Sequence, residues 1–156
     1  MASKDFTNIP VFYRFYFRWS DPAICLWGAY MDFVTPAFVL NAFVPALIAP
    51  RNPYFDFTLQ QLGGALLMLS FIDVVLLRYT NDIKIWKILQ VAVLIYDLSL
   101  LYSNYSSLSQ QGRLNFGALR WEDWGGIIIT AQAAVVRTAF LLGVGLSQGK
   151  KRTKRS

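Results

Sequence analysis

The hydrophobic positions of this 156-residue chain run together in four long blocks. A helix needs roughly 20 mostly apolar residues to cross a hydrocarbon core about 30 Å thick. Four stretches meet that length: 20–40 (SDPAICLWGAYMDFVTPAFVL), 59–77 (LQQLGGALLMLSFIDVVLL), 85–103 (IWKILQVAVLIYDLSLLYS) and 125–146 (GGIIITAQAAVVRTAFLLGVGL). The pattern predicts an all-α membrane protein, a bundle of four transmembrane helices. Pro22 is placed to start the first span and Pro36 to kink it. Lys87 and Gln90 fall in the first turns of the third, where a lysine near a span end can snorkel to the interface. The connection 41–58 is apolar and carries Pro45, Pro50 and Pro53, as a loop packed at the outer interface would.

Charge placement leads to the same four spans. Lys and Arg number 15 against 9 Asp and Glu, a net charge of +6, but five of the bases lie in residues 150–156, leaving 10 against 9 in the body. A nucleic-acid binder would spread bases over a folded face with aromatic interleaving, and none is expected as a partner. Lys4, Arg14 and Arg18 precede the first span, Arg78, Lys84 and Lys87 surround the second turn, and the tail follows the fourth. With four spans these regions share one side and hold 11 of the 15 bases. By the positive-inside rule both termini are then cytoplasmic. Trp19, Trp86, Trp121 and Trp124 fall near span ends, as an aromatic belt would place them. The residues before the first span lack a short apolar region with a cleavage site, so that span is expected to be its own insertion signal. Residues 1–149 read as a single transmembrane domain and 150–156 as a basic cytoplasmic tail. Its ending, RTKRS, resembles a dibasic retrieval signal of the endoplasmic reticulum; an anchor on lipid headgroups is the alternative.

Composition narrows the chemistry. The chain is 55% hydrophobic and 15% charged, where soluble domains average about 25% charge. Cys25 is the only cysteine and there is no histidine. Intrachain disulfides, Cys-rich zinc, His-dependent triads and His-ligated haem or metal are thereby excluded. No Gly-rich phosphate loop or aspartate-rich magnesium motif is present, so no cofactor and no metal are expected. Acid–base work falls to Asp, Glu, Tyr, Lys or Arg.

The informative residues are the charges inside the spans. A charge at a helix centre costs about 2.5–3.5 kcal/mol on insertion scales, and normally faces the bundle interior with a partner. Asp32, Asp73, Asp97 and Arg137 are so placed. Counted at about 1.5 Å per residue, Asp73 and Arg137 lie within about one turn of each other in depth, and Asp32 and Asp97 lie just past the midplane. Lys87, Gln90 and Asp97 make one stripe of the third span, Ser70 and Asp73 one face of the second, and Thr130 and Arg137 one face of the fourth. Asp21 is placed to cap the first span ahead of Pro22, and Glu122 and Asp123 stand at the outer mouth of the fourth.

Two readings follow. Asp73–Arg137 is either a buried ion pair that fixes helix register or part of a catalytic site, with Asp123 taken as a solvated loop residue or as a member of that site. A single Arg cannot neutralise three carboxylates, so at least one is expected to hold its proton near neutrality. A neutral acid beside an ionised one suits cofactor-free proton chemistry such as isomerisation, cyclisation or epoxide opening. Tyr96 and Tyr102, near Asp97, can hydrogen-bond a developing alkoxide, and Gln90 and Trp124 complete the expected substrate-binding set. The apolar surround calls for a lipophilic small molecule arriving through the bilayer.

The stretches FYRFYFRWSDPAICLWGAY, LLRYTNDIKIWK, IYDLSLLYS and WEDWGG…VRTAFLLGVG touch all four spans. They resemble a family of small fungal membrane proteins, some of whose members look like the integral-membrane hydrolases of polyketide clusters. Those act on polyepoxides to make the oxygen-bridged rings of aurovertin-, citreoviridin- and asteltoxin-type polyenes. More distantly, the four-span layout resembles the emopamil-binding (EXPERA) sterol-isomerase and sigma-2 receptor group. The resemblance implies an epoxide hydrolase or cyclase with Asp21, Asp73, Asp97, Asp123 and Arg137 as its site. A homodimer and an association with a pathway monooxygenase are further expectations. The chain departs from the family pattern in having Asp at 21 and 73, where Glu is commoner, and Leu100 where His often stands. The alternative functions are a non-catalytic lipid- or sterol-binding protein, or an isomerase or cyclase of a terpenoid or sterol.

Overall fold

The computed structural model describes residues 9–146, so Lys4 and the 150–156 tail lie outside the described residues. Five helices carry the fold: α1 (Val11–Val34), α2 (Pro36–Phe43), α3 (Asp56–Tyr79), α4 (Ile83–Gln110) and α5 (Trp121–Leu141). No strand occurs among the described residues. The last three are each long and apolar enough to cross a membrane, and α1 with α2 makes a fourth candidate.

The distribution of polarity is that of a protein dissolved in lipid. Asp21, Asp32, Asp73, Gln90, Asp97, Asp123 and Arg137 are buried, while Phe71, Ile88, Ile95 and Val135 are exposed. In water this arrangement would leave a large apolar surface exposed around a polar interior; in hydrocarbon it is the stable one.

Helix α1 starts at Val11, well before residue 20. Arg14 and Arg18 dilute the hydropathy there, yet Arg18 is satisfied within the fold. Its guanidinium donates to the Leu77 carbonyl at 2.9 and 2.5 Å and lies over the Trp86 ring. The inward residues of α1 include Tyr13, Phe17, Asp21, Cys25 and Ala29, a strict spacing of four. In a regular α-helix each such step overshoots one turn by about 40°. Tyr16–Ser20 form a π-helical turn, and its wider i→i+5 winding takes up part of that drift.

Pro36 does more than kink the first span: α2 departs from α1 at 106°. Thr35, the residue before a proline, leaves the helical region (φ −126°, ψ 52°), and Pro36 then opens α2 in its first turn. At the end of α2 the orphan carbonyls find side chains. Arg120 donates to Asn41 and Ala42, and Ser107 and Gln111 donate to Phe43. The turn 80–82 is closed by Asp82, which accepts from the Lys84 amide at 2.8 Å, and by Trp86, whose indole donates to Thr80. Helix α5 ends at Leu141, short of residue 146, because Gly143 takes a left-handed conformation (φ 83°).

Helix α1 packs along α3, and α4 along α5. Small residues close the first seam: a Cβ at Gly63 would come within 2.8 Å of the Phe33 ring, and one at Gly28 within 2.9 Å of Leu66. At the end of the bundle holding Arg18, Arg78 and Lys87, all four long helices join one apolar cluster. Ile9, Tyr13, Tyr16, Phe17, Leu77, Trp86 and Phe140 form it, with Tyr13–Phe140 and Phe17–Phe140 meeting edge to face at 5.1 and 5.4 Å. Trp86 is therefore fully buried in this plug rather than part of an aromatic belt, while Trp19 and Trp121 are exposed. Lys87 does not snorkel freely; it donates to the Leu141 carbonyl at 3.0 Å, at the C-terminus of α5.

Candidate functional site

Each long helix places a polar residue one turn beyond its plug residue. Phe17 is followed by Asp21, Leu77 is preceded by Asp73, Trp86 is followed by Gln90, and Phe140 is preceded by Arg137. The spacings are four, four, four and three, so plug and polar residue share a helical face. The result is a polar layer stacked on an aromatic one. Asp73 and Gln90 are 0% exposed, Arg137 1% and Asp21 2%.

Arg137 organises the layer. Its Nη2 donates to Asp21 Oδ2 at 2.5 Å and its Nη1 to Asp97 Oδ2 at 2.8 Å. The guanidinium of α5 thus bridges α1 and α4, and joins the two helix pairs through their polar faces. Asp73, expected as the partner of Arg137, is fully buried in the same layer, but neither of its carboxyl oxygens bonds the guanidinium.

Asp21 is not a helix cap. It continues the helical backbone from Ser20 and spends its side chain on Arg137. A helix already running from Val11 leaves no N-terminus there to cap.

A cavity of about 150 Å³ opens above the layer. Asp21, Asp97 and Arg137 reach its floor, and Cys25, Leu66, Val93, Tyr96 and Thr130 are among its walls. Its lining is mostly apolar and draws on α1, α3, α4 and α5, so it lies between the two helix pairs. A larger pocket of about 320 Å³ sits beside the 44–52 loop. It is lined by residues such as Leu40, Val44 and Phe55, and its charged member, Arg51, already pairs with Asp56. The buried ionisable residues Asp21, Asp97 and Arg137 line the smaller cavity.

Of the residues singled out in the sequence, the fold brings together Asp21, Asp73, Asp97 and Arg137, with Gln90 in the same layer and Tyr96 on the cavity wall. Asp32 is buried but separate, in the α1–α3 seam against Gly63, about 16 Å along the helix from Asp21. Asp123 belongs to the opposite end. It is neither a solvated loop residue nor a neighbour of the quartet: it is buried, accepts the Arg120 amide at 2.7 Å and pairs with Arg113 and Arg120. Tyr102 is 70% exposed and points away from the interior. Trp124 stacks on Phe116 and is half-exposed. Tyr16 was not legible as a site residue, although its hydroxyl is buried within electrostatic reach of Asp21, Asp97 and Arg137. The recurrence of an aromatic or leucine three or four residues from a polar residue, once per span, marks Phe17 but not Tyr16, which is five residues from Asp21.

Among the described residues no cluster of three or more Asp, Glu, Cys or His is arranged to hold a metal ion. No curated protein and no solved structure matches the chain. A family model described as a domain of unknown function, DUF7704, matches residues 6–147, taking in the plug, the polar layer and the cavity, and the chain belongs to that family.

Proposed function

We propose that the protein is a membrane-embedded, cofactor-free epoxide hydrolase or cyclase, acting on a lipophilic polyketide in fungal secondary metabolism. The observation that carries this reading is that buried Asp21, Asp97 and Arg137 line a mostly apolar cavity, with Asp73 buried in the same layer. The resemblance to the polyketide-cluster hydrolases supports it.

The chemistry follows from the charge pattern. The layer sets three carboxyls against one guanidinium, so a neutral acid can stand beside an ionised one. One carboxyl of the layer gives a proton to the epoxide oxygen as its C–O bond breaks, and another, ionised, takes the proton of the attacking hydroxyl or water. Arg137, fixed by Asp97, supplies positive charge beside the developing alkoxide, and Tyr96 adds a phenol on the cavity wall. A multi-pass location in the endoplasmic reticulum with both termini cytoplasmic is part of the reading, supported by the placement of 11 of the 15 bases.

One observation favours a competing role as a non-catalytic lipid- or sterol-binding protein. The Arg137 bridge ties the helix pairs together whether or not turnover occurs. Co-expression with a polyene synthase and an epoxidase separates the two. Conversion of the epoxide, abolished by Asp73→Asn and by Asp97→Asn at unchanged protein level, is the expected result. An epoxide that persists in cells containing the wild-type protein overturns the enzyme reading, and undiminished conversion by both variants overturns the site.

A further inference from the structure

The end of the bundle that holds the aromatic plug also gathers three arginines. Arg14 and Arg18 stand four residues apart on α1 and share a face. The Arg18 guanidinium donates to the carbonyl of Leu77, the residue before Arg78, and lies within electrostatic reach of both Arg14 and Arg78. Arg78, exposed near the end of α3, lays its own guanidinium over the Trp19 ring at 4.5 Å. Two helices thus hold three cations around one point.

Arg18 is bonded within the fold, but the two arginines beside it are not neutralised. Among the described residues neither Arg14 nor Arg78 has a carboxylate within ion-pair distance, and Arg14 Nε is buried with no hydrogen-bond partner. Asp82, the acid of the adjoining 80–82 turn, gives its side chain to the Lys84 amide. Like charges gathered at the edge of an apolar medium repel more strongly than they would in water. An anion placed among them removes that repulsion, and the guanidinium fork matches the oxygens of a phosphate.

The surface beside the arginines says which phosphate. Trp19, Ala23, Leu26 and Trp27 are exposed at i, i+4, i+7 and i+8, a stripe that leads from the Arg78 contact along α1 towards its middle. A free phosphate would use the arginines and leave the stripe; a phospholipid uses both. A zwitterionic headgroup brings its own cation, so the match is to a headgroup of net negative charge, as at other basic sites at the ends of transmembrane helices.

We propose that Arg14 and Arg78, flanking Arg18, bind one anionic phospholipid at this end of the bundle, its phosphate on the guanidiniums and an acyl chain along Trp19, Ala23 and Leu26. The site is separate from the cavity between the helix pairs and does not depend on the protein being an enzyme.

The test uses full-length protein reconstituted in phosphatidylcholine vesicles with increasing fractions of phosphatidylserine brominated on its acyl chains. Bromine quenches a tryptophan it touches, and the quenching that Trp19→Phe removes reports this site. Brominated phosphatidylserine should half-saturate it at a fraction at least about fivefold lower than brominated phosphatidylcholine; equal quenching by the two lipids overturns the site, and that comparison needs no arginine variant. Each arginine is worth about fivefold in affinity for an anionic lipid, so Arg14→Gln and Arg78→Gln should each raise the half-saturating fraction about fivefold and together about 25-fold. Lys84→Gln, a base of the same end on α4, should change it by less than about twofold. An equal effect of Lys84→Gln shows a diffuse basic surface and overturns the site as well. Unbrominated phosphatidylserine should relieve the quenching, and glycerophosphoserine, the same headgroup without chains, should not. Relief by an equal concentration of glycerophosphoserine or of inorganic phosphate overturns the lipid as occupant.

Discussion

Replacing Arg137 with methionine tests the architecture of the layer most directly. Methionine keeps much of the length and the apolar stem of arginine, so packing along the helix is largely conserved. What is lost is the guanidinium, 1% exposed and bonded to Asp21 at 2.5 Å and Asp97 at 2.8 Å. Removing one partner of a buried ion pair costs about 3–5 kcal/mol, because the remaining charge is stranded away from water. For a chain of this size each kcal/mol moves Tm by about 2–4 °C, so a fall of roughly 6–20 °C is expected.

The control neutralises the stranded partners. In the triple variant Asp21→Asn, Asp97→Asn, Arg137→Met no unpaired charge is left between the helix pairs, and at least half of the lost Tm should return. Melting in nanodiscs, followed by tryptophan fluorescence, reads both, since Trp86 sits in the plug one turn from the layer. A single variant melting within about 2 °C of the parent would show that Arg137 acts through its stem alone. A triple variant less stable than the single one would show that the acids contribute independently of the arginine. Either result refutes the bridge as the tie between the helix pairs.

Other predictions follow from particular contacts. Gly63→Ala should lower Tm by about 2–12 °C, since its Cβ would press on Phe33 and Asp32 and over-packing costs about 1–3 kcal/mol. Gly64→Ala, with nothing within 4 Å, should raise it slightly through helix propensity; equal losses at both positions would refute the close α1–α3 seam. Cys25, the only thiol and part of the cavity wall, should react with N-ethylmaleimide about tenfold or more slowly in nanodiscs than in SDS, and faster in Arg137→Met than in the parent. A thiol that labels equally fast in folded and unfolded protein is not where the fold places it. A glycosylation acceptor inserted in the 104–124 connection should be modified in microsomes while one at either terminus is not; the reverse pattern refutes the orientation read from the bases.

The helices were legible because length and hydropathy alone decide whether a segment can cross a bilayer. Their ends were not, because ends depend on how single polar groups are satisfied. Arg18 reads as the close of a cytoplasmic segment, yet the Leu77 carbonyl and the Trp86 ring let the helix run through it. The bend at Pro36 is written in the proline; its size, 106°, depends on Arg120, Gln111 and Ser107, which hold the far end of α2 from distant parts of the chain. Burial of polar residues was legible for the same reason as the spans, since a charge in hydrocarbon must face inward. Partner choice was not. Asp73 and Arg137 are close in depth, as the helical rise requires, but which carboxylates Arg137 takes depends on how the α1–α3 and α4–α5 pairs face each other.

That dependence separates a structural ion pair from a working site. A tie between two helix pairs needs one cation and one anion. The layer supplies one cation, three carboxyls, an amide and a phenol, and two of those carboxyls, Asp21 and Asp97, line a cavity. An excess of buried carboxyls over cations stores a proton at neutral pH, and a proton stored beside an accessible apolar space is the minimum requirement for acid catalysis on a lipophilic ligand. The same contacts serve stability and chemistry, so truncations to alanine confound the two. Asp97→Asn keeps the size of the side chain and an oxygen that can accept from Arg137, but removes the charge. The functional reading therefore requires that this variant lose turnover out of proportion to any loss of stability, whereas a purely structural layer would lose the two together.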